Sequence, residues 1–258
     1  MLFRSGTMMS SRNRAISILE LLSHHAWGLS ARDIADRLDI PFAATQRLLS
    51  GLIESGYVHG GTGKADLFRL RVKLPALGLA YLGATGVTDL VQPILDDLAK
   101  RTSELVRLAV IEADRLTWVA KSQGARSGLL YNPDTDAEVH LPATANGRAW
   151  LSCLGERQAR ALIEKSAPDV TDQTDAVLRD VAIARAQGYA VVSESYEAGT
   201  SAVAAPIRRG ATGNPIGTVS VAGPTIRMTP DRIQEFVPWL LASAAELGAA
   251  ASSSPLFK

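Results

Sequence analysis

The sequence predicts an α+β protein made of two unlike parts, and three observations carry that expectation. The front of the chain spells short amphipathic helices followed by a glycine-punctuated hairpin. From Glu104 onward, strand-like alternation and helical stripes interleave, with a hairpin near the end, as in an antiparallel α+β domain. A long helix with an unbroken apolar stripe then closes the chain. With 258 residues there is enough chain for two cores.

"RNRAISILELLSHH" sets Ala15, Ile18, Leu19 and Leu22 on one helical face. "LSARDIADRLDI" begins at Ser30, a good N-cap, with Asp33 three residues on in the manner of a capping box. Ile34, Ala35 and Leu38 form its stripe. "IPFAATQRLLSGLIESG" opens with Pro41 in a first turn, carries Leu48, Leu49, Leu52 and Ile53 inward, and stops at Gly56. "YVHGGTGKADLFRL" reads as strand, glycine turn, strand. A tight "LDIP" turn joins the second and third helices. That layout, over 11–73, is a winged helix-turn-helix, whose third helix enters the major groove of DNA while the hairpin flanks it.

"LPALGLAYLGA" places Leu74, Leu77, Tyr81 and Ala84 at helical spacing and reads as a linker helix, 74–86. A second domain, 87–250, starts with "VTDLVQPILDDLAKRTSE". Its apolar side is Leu90, Ile94, Leu95 and Leu98, and Pro93 falls early, where proline costs least. "ELVRLAVIEADRLTWVAKSQ" alternates as two strands around an "EADR" turn; "SGLLYN" and "AEVHL" read as shorter strands. "ANGRAWLSCLG", "ERQARALIEKS" and "DAVLRDVAIARAQG" read as helices, and "YAVVSE", "TSAVAAPIRR" and "PIGTVSVAG" as strands. "TPDRIQEFVPWLLASAAELGAA" closes the domain, with Ile233, Phe236, Val237, Leu240, Leu241, Ala244 and Leu247 in helical period.

Formal net charge is +1, unevenly spread: residues 1–73 hold ten Lys and Arg against six Asp and Glu (+4), leaving 17 against 20 (−3) for the rest. A basic front on a slightly acidic body suits a nucleic-acid-binding head. The single cysteine, Cys153, allows no intrachain disulfide and no cysteine zinc cluster, which fits a reducing cytoplasm. The start, "MLFRSGTMMS", has no signal-peptide core, and no apolar run approaches a membrane span. The expected location is the cytoplasm.

Four stretches resemble the IclR-type transcriptional regulators: "RAISILELLS", "IPFAATQRLLSGLIESGYV", "LPATANGRAWLSCL" and "GYAVVSESYEAGTSAVAAPI…GTVSVAGP". The last is the most specific, through the order of its Gly-Tyr-Ala, Ala-Ala-Pro and Ser-Val-x-Gly-Pro elements. The resemblance implies a C-terminal effector-binding domain similar to GAF and PAS folds. It also implies homodimers or homotetramers, a palindromic double-stranded DNA operator, and a small organic acid or aromatic effector. No cofactor and no metal are implied. Repression of a catabolic operon is the family tendency.

The recognition helix departs from the family pattern, since "PFAATQR" replaces its usual polar residues with Phe42, Ala43 and Ala44. Thr45, Gln46 and Arg47 remain as groove-facing donors, Gln suiting adenine and Arg guanine or a phosphate, while Ala43 and Ala44 suit thymine methyls. Thr45 also stands where the family usually has a hydrophobic residue, so burial is its alternative. Arg12, Lys64 at the wing tip and Arg69 complete the expected DNA contacts. In the effector domain, the family's Asp, Cys and two Ser around a small acid match Val192, Ala202, Ser220 and Ala222, of which only Ser220 is polar. Ala145, Asn146 and Gly147 match the loop whose backbone N–H groups meet the ligand. A pocket so lined implies an effector more apolar or bulkier than a two- or three-carbon keto acid.

"HGGTGKAD" invites a phosphate-loop reading, which fails three times. Val58 stands where the first glycine belongs, Ala65 replaces the magnesium-holding hydroxyl, and "DLFRL" is strand-like where a helix is required. There is no HExxH and no GxSxG, and Cys153 lies in an apolar helix that suggests packing. Trp118, Trp150 and Trp239 likewise read as packing residues. A hydrolase-like enzyme built on the second domain, and a protein-interaction module without ligand, are the competing classes; the lack of an acid–base cluster argues against an enzyme.

Overall fold

The computed structural model describes residues 11–60, 67–133, 138–210, 213–251 and 254–255. Two units divide the chain, the first ending at Tyr81 and the second beginning at Leu82.

In the first unit, α1 (Ser11–Ser23), α2 (Ala31–Leu38) and α3 (Phe42–Glu54) enclose a core of Ile18, Leu22, Ile34, Leu49, Leu52 and Val58. α2 starts where its capping chemistry allows. The Ser30 hydroxyl accepts the Asp33 N–H, and the Asp33 carboxylate accepts back from Ser30. It ends because Asp39 turns left-handed (φ 50, ψ 47), which aims the chain at α3 within three residues. The hairpin β2 (Val58–His59) and β3 (Leu67–Leu70) follows. A two-residue strand β1 (Leu29–Ser30), too short to leave a sequence pattern, pairs with β3 to give the order β1-β3-β2. α4 (Lys73–Ala84) comes next and buries none of its residues, although it is mostly apolar.

The second unit is built on a five-stranded antiparallel sheet, β4 (Leu105–Glu112), β5 (Arg115–Gln123), β6 (Ala190–Ser193), β7 (Thr200–Arg208) and β8 (Pro215–Pro224), ordered β5-β4-β8-β7-β6. Because strand side chains alternate between faces, Val106, Leu108, Val203, Ala205, Val219 and Val221 point to one side. There they meet α5 (Gln92–Thr102) and the closing α9 (Pro230–Ala250) in the main core. The other side carries α6 (Ala145–Leu151), α7 (Glu156–Ser166) and α8 (Thr174–Gln187).

Three local expectations change. "SGLLYN" is not a strand; its carbonyls find side-chain donors instead of a ladder, Arg227 Nη1 on Leu129 O at 2.8 Å and Gln123 Nε2 on Tyr131 O at 3.0 Å. "AEVHL" contributes one isolated bridge, Glu138 to Thr117. Leu90 is exposed, because a π-helical turn, Val87–Val91, rotates it away from the face that Ile94, Leu95 and Leu98 bury.

Candidate functional site

On α3 the helical period sorts the expected groove residues. Gln46 and Arg47 are exposed, Ala43 is exposed and Ala44 half-buried. Thr45 is fully buried and its hydroxyl reaches back toward Pro41 O at 3.4 Å, so it does not face a base edge. Its place on the inward stripe, one turn before Leu49, decides this. Phe42, at the head of the helix, lies under the Arg32 guanidinium at 5.3 Å. Arg69, on the second wing strand, is exposed, but its Nε donates to Trp27 O at 2.7 Å and its stem packs on Gly28. It braces the α1–β1 turn before it can serve DNA. Lys64 lies outside the described residues, and of Arg12 only the helical backbone is described.

In the second unit, a cleft lies between the N-terminus of α6 and the α6 side of the sheet. Its floor follows from strand register. Ala202 sits between Val192 and Ala222, and Ser220 sits between Ala204 and Arg107. These small side chains leave a cavity of about 60 Å3. Ala145, Asn146, Val192, Ala202, Ser220 and Ala222 all line it. Gly147 does not. Its N–H is taken by the Thr144 hydroxyl that caps α6, and its Cα faces Leu141, where a Cβ would lie 2.1 Å from the carbonyl oxygen. Asn146 is buried with its amide nitrogen donating to Thr218 Oγ1 at 2.9 Å, which fixes the carboxamide before any ligand arrives.

The larger part of the wall was not expected from the sequence. Arg107, only 9% exposed, lines the cleft from β4. Its guanidinium lies 3.7 Å from the centroid of Trp118, so this tryptophan shapes the cleft as well as packing. A bulge that shifts the β4–β5 register between Leu108 and Ala109 brings Trp118 to this side. Burial holds the Arg107 guanidinium below its ordinary pKa, with Tyr131 and Tyr196 acting against it. Burial also pushes the Tyr131 hydroxyl up, with Glu197 adding to the effect, so Tyr131 stays a neutral donor at pH 7. His140 and Tyr196 stack obliquely at 6.2 Å on the outer wall. Arg148 steadies this rim: Nη1 holds Asp180 of α8 at 2.6 Å and Nη2 reaches Ser195 at 3.3 Å. Among the described residues no His, Cys, Asp and Glu cluster could hold a metal.

Residues 79–249 match the family described as bacterial transcriptional regulator IclR C-terminal, and residues 13–60 match the IclR helix-turn-helix domain. The chain belongs to the IclR family. It is therefore a DNA-binding transcriptional regulator of that family and not an enzyme. Relatives include the Pca regulon regulatory protein of Pseudomonas putida, 29% identical, with 93% of this chain and 83% of that protein covered. The transcriptional repressor IclR of Escherichia coli is 23% identical over 93% and 89% of the two chains. The same fold occurs in an IclR homolog complexed with 4-hydroxybenzoate from Microbacterium hydrocarbonoxydans, with TM-score 0.72, 21% identity, and 95% and 100% of the chains covered.

Within this IclR-family chain, one signal for the missed wall was present in the sequence. Arg107 is a lone charge inside "LVRLAVI", a run whose neighbours on both sides are apolar. A buried strand rarely carries such a residue without a task. Nothing comparable marks Trp118 or Tyr131, whose place depends on the bulge and on the 124–133 loop.

Proposed function

We propose that this chain is a repressor of a catabolic operon that leaves its palindromic operator when a small organic acid or aromatic metabolite fills the cleft. In this reading 11–73 binds DNA, 74–86 links, and 87–250 binds the effector, in the cytoplasm. The observation that carries it is the cleft itself, a concave site with an apolar floor, aromatic walls and one buried cation, Arg107. The 4-hydroxybenzoate held by the Microbacterium homolog, and the repressor from Escherichia coli, support the effector class and the sign of regulation.

Dimers or tetramers belong to this reading, and α4 supports them: Leu77, Leu79 and Tyr81 are exposed on a mostly apolar helix that buries none of its residues. Two copies would present two α3 helices to half-sites related by the same two-fold axis. The ligand must bind the DNA-competent and DNA-released states unequally to act at all.

The test is a mobility-shift titration on DNA upstream of neighbouring genes. Arg47→Ala should cost about 1–3 kcal/mol on the specific site and little on random DNA if Arg47 reads a base. Equal loss on both would make it a phosphate contact. Lys64→Ala should weaken all sequences alike and lower the salt slope by about one unit. A chain that retards no DNA at low salt overturns the reading.

A further inference from the structure

We propose that the cleft takes a single-ring aromatic monocarboxylate whose carboxylate sits on the Arg107 guanidinium, the residue that sets effector class. The inference rests on the cleft's being the effector site. Arg107 does not occupy any of the positions where the family resemblance places ligand contacts; it comes from β4, on the opposite edge of the floor from Val192.

The charge is the first argument. Arg107 is nine-tenths buried, yet among the described residues no carboxylate pairs with it and no hydrogen bond ties it down. A buried guanidinium without an anion is costly, and a protein keeps one where an anion will arrive. Trp118 occupies the face of the guanidinium, which leaves its N–H edge for a planar, bidentate acceptor such as a carboxylate. The Ser220 hydroxyl, directly across the β4–β8 pair, stands beside the same spot.

The count of charges is the second argument. Among the described residues, the other charged residue lining the cleft is Glu138, whose carboxylate faces Arg115 at 3.6 Å. Lys121, next to Arg107 across β4–β5, has its Nζ on Asn132. A ligand with two carboxylates would find one cation and one like charge, so the site suits a monoanion.

Shape is the third argument. Trp118, Tyr131, His140 and Tyr196 supply rings around the floor of Ala202 and Ala222. Flat ring walls over an alanine floor suit a flat apolar body better than a two- or three-carbon acid. Tyr131, beside Glu197 and Thr200, offers a hydroxyl at the rim.

The test uses the full-length protein and calorimetric titration at pH 8, where imidazoles are ordinarily neutral. The probes are benzoate, 4-hydroxybenzoate and phenylacetate, against benzamide, adipate and pyruvate. At least one ring acid should saturate the protein and bind at least tenfold tighter than benzamide, adipate or pyruvate. Arg107→Met should weaken that acid at least tenfold and leave benzamide unchanged, and Arg107→Lys should restore part of the loss. Melting temperature and DNA retardation report whether each variant is folded, and the ligand series on the natural chain stands without them. No saturable binding by any ring acid, a preference for adipate or pyruvate, or an intact acid-over-amide preference in Arg107→Met overturns the proposal. Retention of DNA binding in that event leaves the regulator reading standing, whereas ring-acid binding without DNA binding would sink that reading instead.

Discussion

Arg227→Ala should be among the most damaging single substitutions in the second unit. Arg227 grips Glu104 through both carboxylate oxygens, at 2.5 and 2.8 Å, and spends Nη1 on Leu129 O at 2.8 Å. The Glu104 side chain is 4% exposed and that of Arg227 35%. Glu104 is seated over Gly223, where a Cβ would fall 2.2 Å from Oε2, so the carboxylate occupies space that only a glycine leaves open. Removing one partner of a buried pair costs roughly 3–5 kcal/mol, because a desolvated charge is left alone. Water can reach the vacated Arg227 site, so the lower end applies, about 3 kcal/mol. For a domain of this size that lowers the melting temperature by roughly 6–12 °C. Urea titration followed by circular dichroism and by tryptophan fluorescence measures it. Glu104→Gln, which keeps one acceptor oxygen for Arg227 and removes the buried charge, should cost less. The double change Glu104→Leu with Arg227→Met should recover much of the loss. A loss below about 0.5 kcal/mol for Arg227→Ala would refute the reasoning, since it would make the pair no stronger than a surface one. The same substitution frees the loop that carries Tyr131, so ligand affinity should fall with stability.

Three further outcomes are expected. Gly147→Ala drives a methyl into backbone atoms of Leu141 that cannot yield, so thermal unfolding should show a loss of about 2–3 kcal/mol; unchanged stability would mean α6 shifts freely. Ser30→Ala removes the cap and half of the capping box on α2, for about 1 kcal/mol in the first unit. Burial raises the Cys153 pKa against the opposing pull of Arg208, so iodoacetamide at pH 8 should label the native chain at least tenfold more slowly than the urea-unfolded chain. Because the folded-state value lies above the ordinary one, the group's effect on stability is constant below the ordinary thiol pKa, and stability falls as pH rises from there through the raised value.

What the sequence by itself determined is local. Periodicity placed the helices and most of the strands, since which face a residue takes on a helix or strand depends only on its spacing. The Ser30–Asp33 capping box and the stop at Gly56 were legible for the same reason: the partners lie within a turn of one another. Thr45 was readable only as two alternatives, and its position relative to Leu49 in the packed helix settled it as buried. The tertiary structure decided the cleft. Arg107 faces Ser220 only because β4 and β8, more than a hundred residues apart, pair in one register. Trp118 meets Arg107 only because a bulge shifts β5 against its neighbour, and Tyr131 arrives on a loop held by Arg227 through Leu129. A one-residue slip would turn each of these side chains to the opposite face, and no local pattern in the sequence records which register wins.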